Sequence, residues 1–240
     1  MEDPTLAWLK EAEASFFNLF VLEDGRRKIL SSRSVDAYFY LLSEALRERL
    51  TVSFEFNVLF LDSTFMSLVL DEGFEKASDF LGSQDPFSFR LMLIPYFFEN
   101  AWVLIALDTN YLASSRFSKL MYFGLGRENR IPVYMSRLRS FLYFDFSRRH
   151  SNGENNRTPG HIFSSKFRNI NSIESYSDIF VCHSARALLR GEDISAFLDK
   201  SVSTLKDILV SDFSIHFESG PKRLASVLFD STDFLGKIKI

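Results

Sequence analysis

The apolar and polar positions follow two patterns along this chain. Apolar residues recur at helical spacing through residues 32–49, directly after a serine pair suited to N-capping, which predicts an amphipathic helix. Helical stripes return in residues 179–190, where Gly191 is suited to end the helix, and in residues 195–212. Two helices are therefore predicted late in the chain.

A different pattern occupies the middle of the chain. Residues 90–95 and 102–108 are short, nearly continuous apolar runs, and a polar turn at Glu99 and Asn100 separates them. Such runs are typical of central strands buried on both faces, and residues 117–123 are suited to a third strand. Buried strands between amphipathic helices predict an α+β domain with a mixed central sheet flanked by helices.

The chain is predicted to have three parts: an N-terminal helical extension (1–19), a main domain (20–213) and a C-terminal tail (214–240). Residues 147–168 are polar, locally basic and punctuated by Gly and Pro, which favours a mobile surface loop. The tail has more apolar residues than solvation requires. It therefore forms a partner surface or packs on its own domain.

Composition narrows the possible functions. The chain has 240 residues, 46% of them hydrophobic, and a formal net charge of −3, which disfavours a general nucleic-acid binder. It has a single cysteine and no zinc-ligand spacing, so neither a disulfide framework, a metal nor a cofactor is expected. No secretory signal or membrane-spanning run is recognisable, and a nuclear or cytoplasmic protein is expected.

The adjacent pair Cys182 and His183 invites a catalytic interpretation. Adjacent residues on a helix point about 100° apart, so the two side chains do not face each other within one turn. Cys182 also lies on the apolar stripe of its predicted helix, where a free cysteine acts as a small buried hydrophobe. A structural role is the favoured interpretation of this cysteine.

Three segments resemble one enzyme family. DPFSFRLMLIPYFFENAWVLIALD has the order Asp, strand, Ile-Pro, turn, Trp, strand, Asp, and ILSSRSVDAYFYLL and SYSDIFVC each lead into a helix. Over residues 20–213 this order resembles the catalytic domain of the Ulp/SENP family of cysteine proteases, which act on SUMO and other ubiquitin-like modifiers. The resemblance implies the fold of that family.

The resemblance also assigns places to the catalytic residues. It puts Ala101 in the place of the general base, Phe123 in that of the orienting acid and Ser177 in that of the nucleophile, and it puts Asn171 near the oxyanion position. A nucleophile needs a base and a group that orients the base, and removing a nucleophile or base costs on the order of 10⁶-fold in kcat. The resemblance therefore predicts a catalytically inactive pseudoenzyme.

The predicted function is that of a protein-binding module, scaffold or subunit of a nuclear complex, with a ubiquitin-like modifier among the candidate partners. In the family, the Trp in the place of Trp102 flanks the channel for the modifier's tail. The binding residues expected here are Trp102, Leu228, Phe229 and Phe234. Two alternatives stay open: a divergent active cysteine protease that uses Cys182, and a nucleic-acid accessory protein that uses the basic loop 148–168.

Overall fold

The computed structural model describes residues 4–18, 22–23, 26–27, 29–50, 57–109, 117–124, 131–150, 161–166, 176–192, 194 and 200–229. The chain forms two compact units. Unit 1 combines residues 1–55 with residues 171–240, and unit 2 consists of residues 56–170. Both ends of the chain therefore belong to unit 1.

The helices in chain order are α1 (Pro4–Phe17), α2 (Ser32–Leu50), α3 (Phe65–Ser67), α4 (Phe74–Leu81), α5 (Ile131–His150), α6 (Ser177–Arg190) and α7 (Val202–Phe229). The strands are β1 (Leu22–Glu23), β2 (Arg26–Arg27), β3 (Val58–Phe60), β4 (Leu91–Phe98), β5 (Ala101–Asp108), β6 (Phe117–Gly124) and β7 (His161–Lys166). A π-helical turn (Leu68–Glu72) follows α3, and a 3-10 turn (Pro86–Ser88) precedes β4.

Unit 1 is a helical unit built around α1, α2, α6 and α7, with a small β1–β2 hairpin. An aromatic cluster joins three of the helices, because Phe16, Tyr38 and Phe213 have ring centroids 5.3 to 5.8 Å apart. All three rings are buried. The helices predicted over residues 32–49 and 179–190 are confirmed.

The long helix α7 is bent near its end. Gly220 has φ 77° and ψ 172°, a conformation that favours glycine, and Pro221 begins the segment that runs to Phe229. The helix therefore spans the predicted boundary at residue 213 and includes the first part of the predicted tail. The three-part division of the chain stays a prediction.

Unit 2 contains a five-stranded mixed sheet in the order β3-β4-β5-β6-β7. The two outer pairs are parallel, whereas β5 is antiparallel to both β4 and β6. The strands predicted over residues 90–95, 102–108 and 117–123 are confirmed, and so is the α+β class. Glu99 and Asn100 both have positive φ and form the two-residue turn between β4 and β5.

The apolar core of unit 2 lies between the sheet and the helices α3, α4 and α5. A buried polar group fixes α4 against α5, because the Asp145 carboxylate accepts hydrogen bonds from Ser78 Oγ at 2.6 Å and Arg149 Nε at 2.7 Å. Asp145 is completely buried, so these two donors offset the cost of its burial.

The loop predicted over residues 147–168 is wrong at both ends. Helix α5 continues to His150, and β7 (His161–Lys166) is a strand. The strand forms because residues 161–166 pair in parallel with residues 117–122 of β6, a long-range contact that overrides the polar composition. Residues 151–160 and 167–168 lie outside the described residues.

No described helix is long and apolar enough to cross a membrane.

Candidate functional site

Two of the predicted catalytic places lie in unit 2. Ala101 is the first residue of β5 and is partly buried, and Phe123 lies on the neighbouring strand β6, opposite Leu104, with its ring buried. Neither a methyl group nor a phenyl ring can accept a proton. Ser177 is the buried first residue of α6 in unit 1, and Asn171 lies outside the described residues.

Trp102 lies beneath another aromatic residue. Phe97 pairs with Trp102 across the β4–β5 hairpin, and the two ring centroids are 5.3 Å apart. Trp102 is only 1% exposed, whereas Phe97 is 40% exposed. The aromatic surface that a partner can reach here therefore belongs to Phe97. A two-residue turn fixes this register, so the sequence contained the signal for Phe97.

The start of α6 is tied to a distant segment of unit 1. The Asp178 carboxylate is completely buried, and its two oxygens accept hydrogen bonds from the backbone N–H groups of Leu30 and Ile179, each at 2.9 Å. Satisfying both oxygens offsets the cost of burying this group. Asp178 thereby holds the segment before α2 next to Ser177.

Cys182 is completely buried, as expected for the structural role predicted for it. Burial raises the pKa of its thiol well above the ordinary value, and the nearby carboxylates of Asp178 and Asp36 add to this increase. A reactive cysteine needs an accessible thiolate. This environment therefore disfavours the alternative in which Cys182 is the nucleophile of an active protease.

His183 is also part of the interior of unit 1. Its Nε2 atom lies 2.7 Å from the carbonyl oxygen of Leu205, so Nε2 carries the proton that is donated. Burial lowers the pKa of His183 to about 4, with a smaller opposing effect from that hydrogen bond. At neutral pH the ring is uncharged.

The residues predicted to bind partners through the tail are placed as follows. Leu228 and Phe229 are buried at the end of α7, and Phe234 lies outside the described residues. Arg190 Nη1 donates to the carbonyl oxygens of Val227 at 2.9 Å and Leu228 at 2.8 Å, which satisfies two groups at the helix end. This packing agrees with the alternative that the tail packs on its own domain.

The first cations of the predicted basic loop are engaged within unit 2. Arg148 pairs with Asp79 at 2.9 Å, and Arg149 pairs with the buried Asp145. Arg149 is held by a buried carboxylate, which disfavours its use in phosphate contacts, whereas the Arg148 pair is exposed and leaves that cation accessible. Within the described part of the chain, no group of three or more His, Cys, Asp or Glu residues could hold a metal ion.

Comparison with known proteins identifies the fold. No family model and no curated protein matches the chain. A crystal structure of the de-sumoylating protease matches with a TM-score of 0.55 and 12% identity over 90% of this chain and 83% of that one. The SUMO protease Ulp1 with its catalytic cysteine oxidised to a sulfenic acid matches with a TM-score of 0.55 and 11% identity over 95% and 97%.

A third structure adds a bound partner. The C-terminal Ulp1 protease domain, solved in complex with Smt3, the yeast ortholog of SUMO, has a TM-score of 0.54 and 10% identity and covers 95% of each chain. The expected Ulp/SENP-like fold is therefore confirmed.

The prediction that the chain is not an enzyme is wrong as stated. The solved structures that share its fold are proteases, so the fold provides no ground for excluding activity. The prediction rested on assigning Ala101, Phe123 and Ser177 to catalytic places by sequence resemblance alone. At 10 to 12% identity that assignment is not established, and neither is a degenerate triad.

Proposed function

We propose that this chain binds a ubiquitin-like modifier of the SUMO class, as a protein-binding module or as a subunit of a larger complex. The observation that carries the proposal is the similarity to the Ulp1 domain bound to Smt3, which extends over 95% of both chains. Because a fold alone does not determine function, the proposal also names a specific contact on this chain.

The exposed face of the β4–β5 hairpin is the proposed contact. Phe97 presents 40% of its surface and rests on the buried ring of Trp102, so the exposed ring has a rigid support. Aromatic side chains with such support are frequent anchors of protein interfaces. In this proposal Trp102 contributes by supporting Phe97, and Phe97 makes the contact.

Calorimetric titration of the full chain with SUMO and with ubiquitin tests the proposal. We expect saturable 1:1 binding of SUMO and weaker binding of ubiquitin. Absence of binding to either modifier at high micromolar concentration would contradict the proposed function.

Phe97→Ser tests the contact. Val133→Ser is the matched control, because Val133 is 63% exposed on α5 of the same unit. Loss of an aromatic anchor is expected to weaken modifier binding at least about tenfold, whereas the control leaves it unchanged. Equal affinities for both variants would place the contact elsewhere.

Cleavage of modifier conjugates is the second candidate function, because the solved structures with this fold are SUMO proteases. Ser177 is the nucleophile to test, because the resemblance indicates that place; like Cys182, it is buried. Hydrolysis of a fluorogenic SUMO ester that survives Cys182→Ser and is lost in Ser177→Ala would support this function. Absence of hydrolysis by the full chain would exclude it for that substrate.

A further inference from the structure

The part of α7 that follows its bend is a short helical element of its own. It consists of residues 221–229, called the terminal segment below. The buried residues of this segment are Leu224, Ala225, Leu228 and Phe229. A helix this short is marginal in water by itself. The terminal segment therefore depends on the surface that buries these residues.

Two arginines of unit 1 hold the terminal segment from two other helices. Arg190, the last residue of α6, donates from Nη1 to the carbonyl oxygens of Val227 at 2.9 Å and Leu228 at 2.8 Å. Arg49, near the end of α2, places its guanidinium carbon 5.6 Å from the centroid of the Phe229 ring. The surface around these two arginines, called the docking site below, thus recognises both the backbone and the last ring of the segment.

A single residue sets the direction of the terminal segment. Gly220 has φ 77° and ψ 172°, a conformation that residues other than glycine rarely adopt. Directly before a proline such residues favour φ of about −120° and ψ of about 140°. A Cβ atom added to Gly220 would meet nothing within 4 Å, so substitution costs backbone strain without a steric clash. Relieving that strain redirects the segment away from its own docking site.

We propose that two copies of the chain can exchange their terminal segments. In the exchanged dimer each segment occupies the docking site of the other copy, where Arg49 and Arg190 offer the same contacts. The monomer and the dimer therefore differ mainly at Gly220. In the parent chain glycine adopts the present conformation without strain, and the short tether holds the segment at an effective concentration on the order of millimolar. The parent chain is thus a monomer at micromolar concentration. The proposal is independent of modifier binding by Phe97.

Gly220→Ala tests the proposal in the full chain. The strain it introduces in the monomer is expected to lower the dissociation constant of the dimer at least about tenfold, measured by analytical ultracentrifugation. Gly82→Ala is the matched control, because Gly82 also has positive φ and open space at its Cβ position but lies in unit 2. The control should lose stability and stay monomeric. Equal association of the two variants would overturn the proposal.

Pro221→Ala is a second variant, in case Gly220→Ala does not fold. It restores a backbone N–H group and permits a helical conformation at residue 220, so α7 can continue straight and carry the segment away from its own docking site. We expect it to dimerise as well. If both variants stay monomeric at the concentration where exchange is expected, the proposal is wrong.

A photoreactive benzophenone side chain in place of Val227 distinguishes exchange from association through another surface. Position 227 lies at the docking site, because its carbonyl oxygen accepts from Arg190. Irradiating the Gly220→Ala dimer should link the two chains covalently and give a dimer band on a denaturing gel. Links confined to single chains would overturn the exchange, since each segment would then occupy its own docking site.

Discussion

The hydroxyl group of Tyr38 on α2 donates a 2.7 Å hydrogen bond to the carboxylate of Asp212 on α7. The same carboxylate oxygen accepts a 3.0 Å hydrogen bond from Arg186 Nε on α6. Burial raises the pKa of Asp212, and the charge of Arg186 and the Tyr38 hydrogen bond oppose that effect. Three helices of unit 1 thus meet at one buried carboxylate.

Tyr38→Phe is expected to lower the free energy of unfolding by about 1–3 kcal/mol, because the variant removes a donor from a buried charged acceptor. Urea denaturation followed by circular dichroism measures the change. Tyr134→Phe is the control, since among the described contacts the Tyr134 hydroxyl has no hydrogen-bond partner. Equal stabilities of the two variants would show that the Tyr38 hydrogen bond contributes little.

Acid is expected to destabilise the protein partly through His183. Its pKa is about 4 in the folded protein and 6.5 ordinarily, so the unfolded state binds the proton first as pH falls. The stability of the folded state is therefore complete above pH 6.5 and decreases toward pH 4, by about 3 kcal/mol from this group.

The variant His183→Gln isolates that contribution. Glutamine retains an N–H donor for the Leu205 carbonyl but does not titrate, so the variant should lose less stability between pH 6.5 and pH 4. Urea unfolding at a series of pH values gives the slope of unfolding free energy against pH for the variant and for the parent chain. Identical slopes for the variant and the parent chain would rule out His183 as a source of the acid sensitivity.

Cys182 is expected to resist thiol reagents while the protein is folded. Its side chain is completely buried and its pKa is raised, so a disulfide reagent should react at the rate of unfolding. Adding urea should accelerate the reaction. As a control, Val133→Cys in a Cys182→Ser background should react at once, because position 133 is exposed. Rapid labelling of native Cys182 would contradict its burial.

Gly124→Ala is expected to destabilise the sheet of unit 2 by about 1–3 kcal/mol. An added Cβ atom would lie 2.6 Å from Val103 Cγ1 and 3.2 Å from Val103 Cα on the paired strand β5. Val103→Ala removes the nearest of these atoms, so the two substitutions should couple favourably in a double-mutant cycle of unfolding free energies. Strict additivity would show that contact with the Val103 side chain is not the source of the lost stability.

Much of the fold could be predicted because its central strands and helices have distinctive local patterns of apolar residues. Continuous apolar runs identify β4 and β5, and helical stripes identify α2 and α6. Strand β7 could not be predicted, since its pairing with β6 joins residues that are distant in the chain. The covering of Trp102 by Phe97 is a local feature, and predicting it requires the register that the two-residue turn sets as well as composition.

The division into two units sets the order in which parts of the chain can fold during synthesis. Unit 2 is the continuous stretch 56–170, whereas unit 1 also needs residues 171–240. The hydrogen-bond partner of Tyr38 is Asp212, which is synthesised 174 residues later. On the ribosome, unit 2 can therefore fold while α1 and α2, already exposed as nascent chain, still lack α6 and α7. During that interval their apolar faces are available to chaperones, and the first helices can be buried only after residues 171–240 have been synthesised.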